Sequence, residues 1–161
     1  MGEGSRCPPP FFYIGGRACA EPRDLRSQQM PYSSADELRL SVEAPEQIAS
    51  GRSVPIALRV ENMTERTMTL YLTGRPVAFD LVVDTAEGAR VWRRLEGAVI
   101  QSILRLETLE PGGELVLDDA WDQRSHSGEQ VLPGDYLVRG TLLVEGGQLA
   151  SAPRELRILP P

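Results

Sequence analysis

The sequence predicts an all-β domain, an antiparallel sandwich over residues 36–161, and three observations predict it. Short runs of alternating apolar and polar residues succeed one another through this span, as strands do when one face is in a core and the other in water. Glycine and proline turn signals separate the runs every ~8–12 residues. No long stretch carries the 3.6-residue period of an amphipathic helix. A chain of 161 residues, 41% of them hydrophobic, suits one domain with an ordinary core.

The elements follow in order. Residues 1–35, MGEGSRCPPPFFYIGGRACAEPRDLRSQQMPYSSA, show neither period and cluster prolines, glycines and polar residues, which predicts a poorly ordered leader. From Leu38 the pattern changes: Leu38, Leu40 and Val42 alternate with polar neighbours, and after Pro45 and Gly51 so do Val54, Ile56, Leu58 and Val60. Met68, Leu70 and Leu72 form a third set. Val77, Phe79, Leu81 and Val83 form a fourth, whose alternation puts Asp80 and Asp84 opposite the core. Gly88 turns the chain into ARVWRR, where Arg90, Arg93 and Arg94 read as a solvated strand end. The next stretch, LEGAVIQSILRLETLEPGG, has no settled period and reads as a helical turn or a loop crossing between sheets. Further strands are predicted at 115–118, 135–144 and 154–159. Gly140 falls inside one of them, which predicts a bulge or the close approach of another segment. Strands this short and this numerous predict an immunoglobulin-like sandwich; a closed barrel is the alternative, since periodicity does not say whether the edges join.

Charge excludes some functions. A net charge of -6 leaves no basic surface to neutralise phosphates or anionic lipid, so nucleic acid is not an expected partner. No run approaches the ~20 apolar residues of a membrane span. ACAEP at 18–22 has the small-x-small form of a secretory cleavage site, yet the apolar piece before it, 11–14, is shorter than the ~7–15 residues a signal peptide needs. The reading is a soluble cytoplasmic protein, with export the alternative if the true start lies upstream. Cys7 and Cys19 both lie in the leader and read as free thiols, too few for a tetrahedral metal set.

Candidate chemistry is sparse. The single histidine, His126 in RSHSGEQ, stands among serines and a glycine with no nucleophile-elbow pattern, and reads as a loop residue rather than a catalytic base. DDAWD carries Asp118, Asp119 and Asp122, the one dense carboxylate cluster. Calcium favours such oxygen ligands, but the glycine-centred twelve-residue loop is absent and the cluster reads as an acidic strand end. Trp92 and Trp121 read first as core aromatics, with an exposed interface anchor as the sharper alternative. No phosphate-binding loop, dinucleotide fingerprint or metalloprotease helix is present, so neither catalysis nor a cofactor is expected.

Four pieces recur in a fixed order: LRVEN at 58–62, GRPVAFDLVVDTAEGARVWRR at 74–94, LEPGGELVLDDAWD at 109–122 and LPGDYLVRGTLL at 132–143. An asparagine ending an early strand, a glycine-led hairpin running to a tryptophan, a Leu-x-Pro-Gly turn before a strand ending in tryptophan, and a Pro-Gly-x-Tyr turn resemble the intracellular proteinase inhibitor (BsuPI-type) family. The resemblance spans about residues 38–158. It implies an immunoglobulin-like fold and inhibition of an intracellular serine proteinase, with no inhibitory residues to carry over.

The leading expectation is therefore a non-catalytic protein-binding module that occludes a proteinase, subtilisin-like or related, with an interstrand loop. Two loops are candidates: 121–133, polar and bearing Arg124 and His126, and 95–104, whose Val99 and Ile103 read either as contacts or as core. Trp92, Arg93 and Arg94 complete the candidate partner-binding set. The alternative is a structural or adhesive immunoglobulin-like domain with no protease target.

Overall fold

The computed structural model describes residues 37–74 and 78–161; the predicted leader, Cys7, Cys19 and the predicted core position Val77 lie outside them. The described residues form eleven strands and no helix: β1 (Leu38–Glu43), β2 (Gln47–Ala49), β3 (Val54–Asn62), β4 (Met68–Thr73), β5 (Phe79–Thr85), β6 (Arg90–Arg93), β7 (Leu104–Leu109), β8 (Glu114–Trp121), β9 (Gly134–Val144), β10 (Gly147–Ala150) and β11 (Arg154–Leu159). Hence no helix among them is long and apolar enough to cross a membrane.

The alternation read from the sequence is what drives this pairing. In β3 every second residue, Val54 to Val60, is buried, and the intervening ones are not. β3 is the middle of a three-stranded antiparallel sheet, β1-β3-β8. The larger sheet is organised by β9, which pairs with β11 through its first half and with β10 through its second. On its other side β9 pairs with β5, which continues to β6, and reaches β4, which continues to β7. The two sheets face each other across one core, in which Leu58, Val60 and Trp121 of the smaller sheet meet Leu81, Val138 and Leu142 of the larger. Burying an aliphatic side chain of this kind contributes about 1.5–3 kcal/mol, so this interior is the main source of stability. The protein is an immunoglobulin-like β-sandwich.

Three strands differ from the sequence reading. β2 is parallel to β11, a departure from the purely antiparallel expectation, and is only three residues long. β10 is the short return arm of a hairpin with β9. β7 lies within the stretch whose period was unsettled, so a loop followed by an edge strand replaces the helical turn. All three are held by backbone pairing at sheet margins, where one buried face is not required and the hydrophobic signal is weak.

Gly140 fulfils its prediction. A Cβ there would stand 2.6 Å from Leu58 Cδ1 and 3.0 Å from Val42 Cγ2, both on the opposite sheet. The position also marks where β9 changes partner from β11 to β10. There Gly140 N–H donates to Ser151 Oγ at 3.0 Å and its carbonyl accepts from Ser151 N–H at 2.8 Å.

Candidate functional site

The β5–β6 hairpin carries the aspartates and arginines of the 74–94 segment. Asp80 and Asp84 project from the face opposite Leu81 and Val83, as the alternation predicts, yet both are buried there. The reason is a cover of arginines. Asp84 accepts from Arg90 Nε at 2.6 Å and from Arg139 Nη2, on the neighbouring β9, at 2.7 Å. Asp80 accepts from Arg93 Nε and, at 3.1 Å, from the backbone N–H of Leu95. Pairing with Asp80 holds the Arg93 guanidinium even more firmly protonated than usual.

Arg94 is likewise not a free strand end. It pairs with Asp119 of β8, donates to the Phe79 carbonyl at 2.9 Å, and lies 3.9 Å above the Phe79 ring. Alternation places Asp118 on the exposed face of β8 and Asp119 on the other, so the three carboxylates of DDAWD do not converge. The third, Asp122, accepts from the backbone N–H of Arg124 at 3.0 Å.

Loop 121–133 is organised from its base. Trp121 is fully buried, its ring 6.2 Å from that of the half-buried Trp92 and 6.0 Å from Tyr136, and its Nε1–H donates to the Arg124 carbonyl at 2.8 Å. Gln123, buried at φ 59°, donates from Nε2 to Ala49 O and accepts at Oε1 from Gly51 N–H, both at 2.9 Å. A small internal hairpin closes the tip, with Ser125 N–H donating to Glu129 O and Val131 N–H to Gln123 O, each at 2.9 Å. Arg124 is exposed and donates to Gly128 O at 2.7 Å. His126 N–H donates to Val91 O at 3.2 Å, and its Nε2 lies 3.9 Å from Glu96 at the start of the β6–β7 loop. His126, Trp92 and Arg94 are thus gathered along the β6 edge, while Arg93 faces the outer surface and Arg124 stands apart on the loop.

Loop 95–104 has the opposite character. Its ends are fixed, by Leu95 N–H on Asp80 and by the Ile103 carbonyl, which accepts from Gly74 N–H at 2.8 Å. Between them Val99 is 94% exposed, and Ile100 and Ile103 are exposed as well. The core alternative for Val99 and Ile103 is therefore overturned. A shallow groove of about 680 Å³ elsewhere, lined by Glu46, Asp135, Arg154 and Arg157 among others, is walled by the ion pairs Arg157–Asp135 and Arg154–Glu46.

The intracellular proteinase inhibitor model, BsuPI, matches residues 26–147. The chain belongs to the BsuPI intracellular proteinase inhibitor family. The residues that mark this BsuPI chain in sequence are structural joints: Asn62 ends β3, Trp92 and Trp121 stack beneath the β8–β9 loop, and Tyr136 OH donates to Leu132 O at 2.6 Å in a tyrosine corner. No curated protein matches the chain in sequence. Among solved structures it is similar to latent PorU from Porphyromonas gingivalis (16% identity, TM-score 0.45, covering 77% of this chain and 9% of that one). It is similar also to the sporulation control protein Spo0M from Bacillus subtilis (12%, 0.44, 77% and 49%). A third is the DNA glycosylase AlkC from Pseudomonas fluorescens (21%, 0.40, 75% and 30%). The chain spans less than half the length of each of these three proteins.

Gln123 was not foreseen as a site feature, and for the run in loop 95–104 the sequence left contact and core both open. Nothing in the sequence marks a glutamine for positive φ. The run AVIQSIL carried a signal, an apolar cluster without a strand period, that was equally consistent with core.

Proposed function

We propose that this chain is a non-catalytic inhibitor that occludes the cleft of a subtilisin-like serine proteinase accepting apolar side chains, using loop 95–104. The observation that carries the reading is the exposure of Val99 beside Ile100 on a segment tethered at both ends. A proteinase cleft binds substrate as an extended chain, and a segment whose ends are already held loses less conformational freedom on entering it. Loop 121–133 supports a secondary contact: His126 abuts Glu96 at the start of the segment, Arg124 is exposed on the same loop, Trp92 packs on Trp121 at its base, and Asp80, paired with Arg93, accepts from Leu95 N–H.

Full-length protein titrated against a panel of subtilisin-like and trypsin-like proteinases is expected to abolish subtilisin-like activity stoichiometrically. Val99→Asp is expected to weaken inhibition at least about tenfold, equivalent to about 1.4 kcal/mol, and Arg124→Ala to change it less. Full proteinase activity at micromolar protein across the panel overturns inhibition for those enzymes. Inhibition of a trypsin-like enzyme that disappears with Arg124→Ala transfers the primary contact to loop 121–133. The second reading, an interaction domain with no protease target, is favoured by the continuation of the apolar surface past the loop onto β7, at Leu104 and Leu106.

A further inference from the structure

β7 is inverted relative to its own hydrophobic pattern. Its sequence is LRLETL, and its register on β4 sets Arg105 and Glu107 opposite the buried Leu72 and Leu70, while Leu104 and Leu106 lie opposite Thr73 and Tyr71 on the outer face. Leu106 is 58% exposed and Leu104 nearly as much. A strand normally turns its leucines to the core, and a slip of one residue would do so here. The register instead buries Leu109 opposite Met68 and leaves the two leucines facing outward.

The strand is also an edge. Among the described residues β7 pairs with β4 alone. Natural edge strands are usually blunted by proline, a bulge or an unpaired charge. β7 contains no proline and its register on β4 runs unbroken from Leu104 to Leu109. Its two charges, Arg105 and Glu107, neutralise each other at 3.1 Å. The Ile103 carbonyl points toward β4, where Gly74 N–H donates to it. Because backbone groups alternate along an extended chain, those of Leu104, Leu106 and Thr108 point the other way, toward the open edge.

We infer that β7 is a self-association strand that pairs antiparallel with β7 of a second copy of this chain, about a two-fold axis at Leu106. The sequence is complementary to itself in that register. Leu106 meets Leu106 of the second copy, Leu104 meets Thr108, and Arg105 meets Glu107, each heterotypic pairing occurring twice. A two-fold interface demands that one patch satisfy itself, and here the opposite charges fall opposite each other while the outward leucines close over the axis. The pairing extends the larger sheet across both copies and hydrogen-bonds the edge groups of Leu104, Leu106 and Thr108.

The test is the molar mass of the full-length protein by light scattering or sedimentation over a concentration series. A reversible doubling of mass is expected, since one strand edge is a small interface. Arg105→Glu puts a carboxylate opposite Glu107 of the second copy at both ends, and Glu107→Arg puts a guanidinium opposite Arg105 of the second copy at both ends; each is expected to raise the dissociation constant about tenfold. The double exchange, Arg105→Glu with Glu107→Arg, restores the complementarity and is expected to restore dimerisation. Leu106→Lys, on an exposed position outside loop 95–104, is expected to give a monomer with unchanged circular dichroism. A native chain that stays monomeric throughout, a dimer indifferent to Leu106→Lys, or a double exchange that behaves like the worse single one would each overturn the proposal.

Discussion

Asn62 shows what one side chain does at a strand end. It is buried where β3 stops, and its amide nitrogen donates to Leu109 O and Glu110 O, both at 3.0 Å, and to Arg66 O at 2.8 Å. Its oxygen accepts from Thr64 N–H at 2.9 Å and from Thr64 Oγ at 2.7 Å. One residue thus satisfies backbone groups of the β3–β4 and β7–β8 turns, groups that would otherwise be left without partners when the strands end. Asn62→Ala removes those partners and is expected to cost about 2–3 kcal/mol in urea unfolding, because carbonyls already shielded from water lose their donors. An unchanged midpoint and slope would show that water replaces the amide. The asparagine was visible in the sequence as a motif position, but two of its three acceptors lie 47 and 48 residues away and no local pattern names them.

At the scale of elements, the contrast between β9 and β7 shows where sequence reading succeeds and where it stops. β9 alternates regularly and carries the interior glycine whose meaning was legible; the segment it makes room for was not. Gly140→Ala pushes a methyl against Leu58, itself fully buried, and against Val42, so thermal unfolding is expected to show a loss of about 1–3 kcal/mol. A neutral effect would mean that the two sheets separate slightly at no cost. β7 was not legible because its leucines face outward, and a hydrophobic residue announces burial without saying by which molecule. The burial of the β5 aspartates was not legible for a related reason: alternation assigns a face, but the arginines that seal that face come from β6 and from β9, the latter 55 residues away in the case of Arg139 and Asp84.

For the whole molecule, the pH dependence of stability follows from a few pairs. Hydrogen bonding to Arg59 holds the Glu43 carboxyl below its ordinary value, and hydrogen bonding to Arg157 does the same for Asp135. A depressed folded-state pKa contributes stability above the ordinary carboxylate range of about 4, and the contribution disappears as pH falls through the folded value. Burial, with a smaller effect from the Glu87 charge, raises the Tyr136 phenol. That contribution is complete below about pH 10 and is lost as pH rises through the raised folded value. The melting temperature is therefore expected to be flat between about pH 5 and 9 and to fall on both sides. Tyr136→Phe is expected to lower the plateau, since Leu132 O loses its donor, and to flatten the alkaline limb. An alkaline limb of unchanged slope in Tyr136→Phe would assign it to other groups.

The sequence by itself determined the class of the fold, the order of most strands and the family, because period-two burial and turn chemistry are local properties written into consecutive residues. Only the tertiary structure decided which charges are covered, which loop is braced, and which apolar residues remain in water. Those outcomes depend on pairs of segments far apart in the chain, and on a register that turns Leu104 and Leu106 of an edge strand outward while Val99 stands on the loop before it.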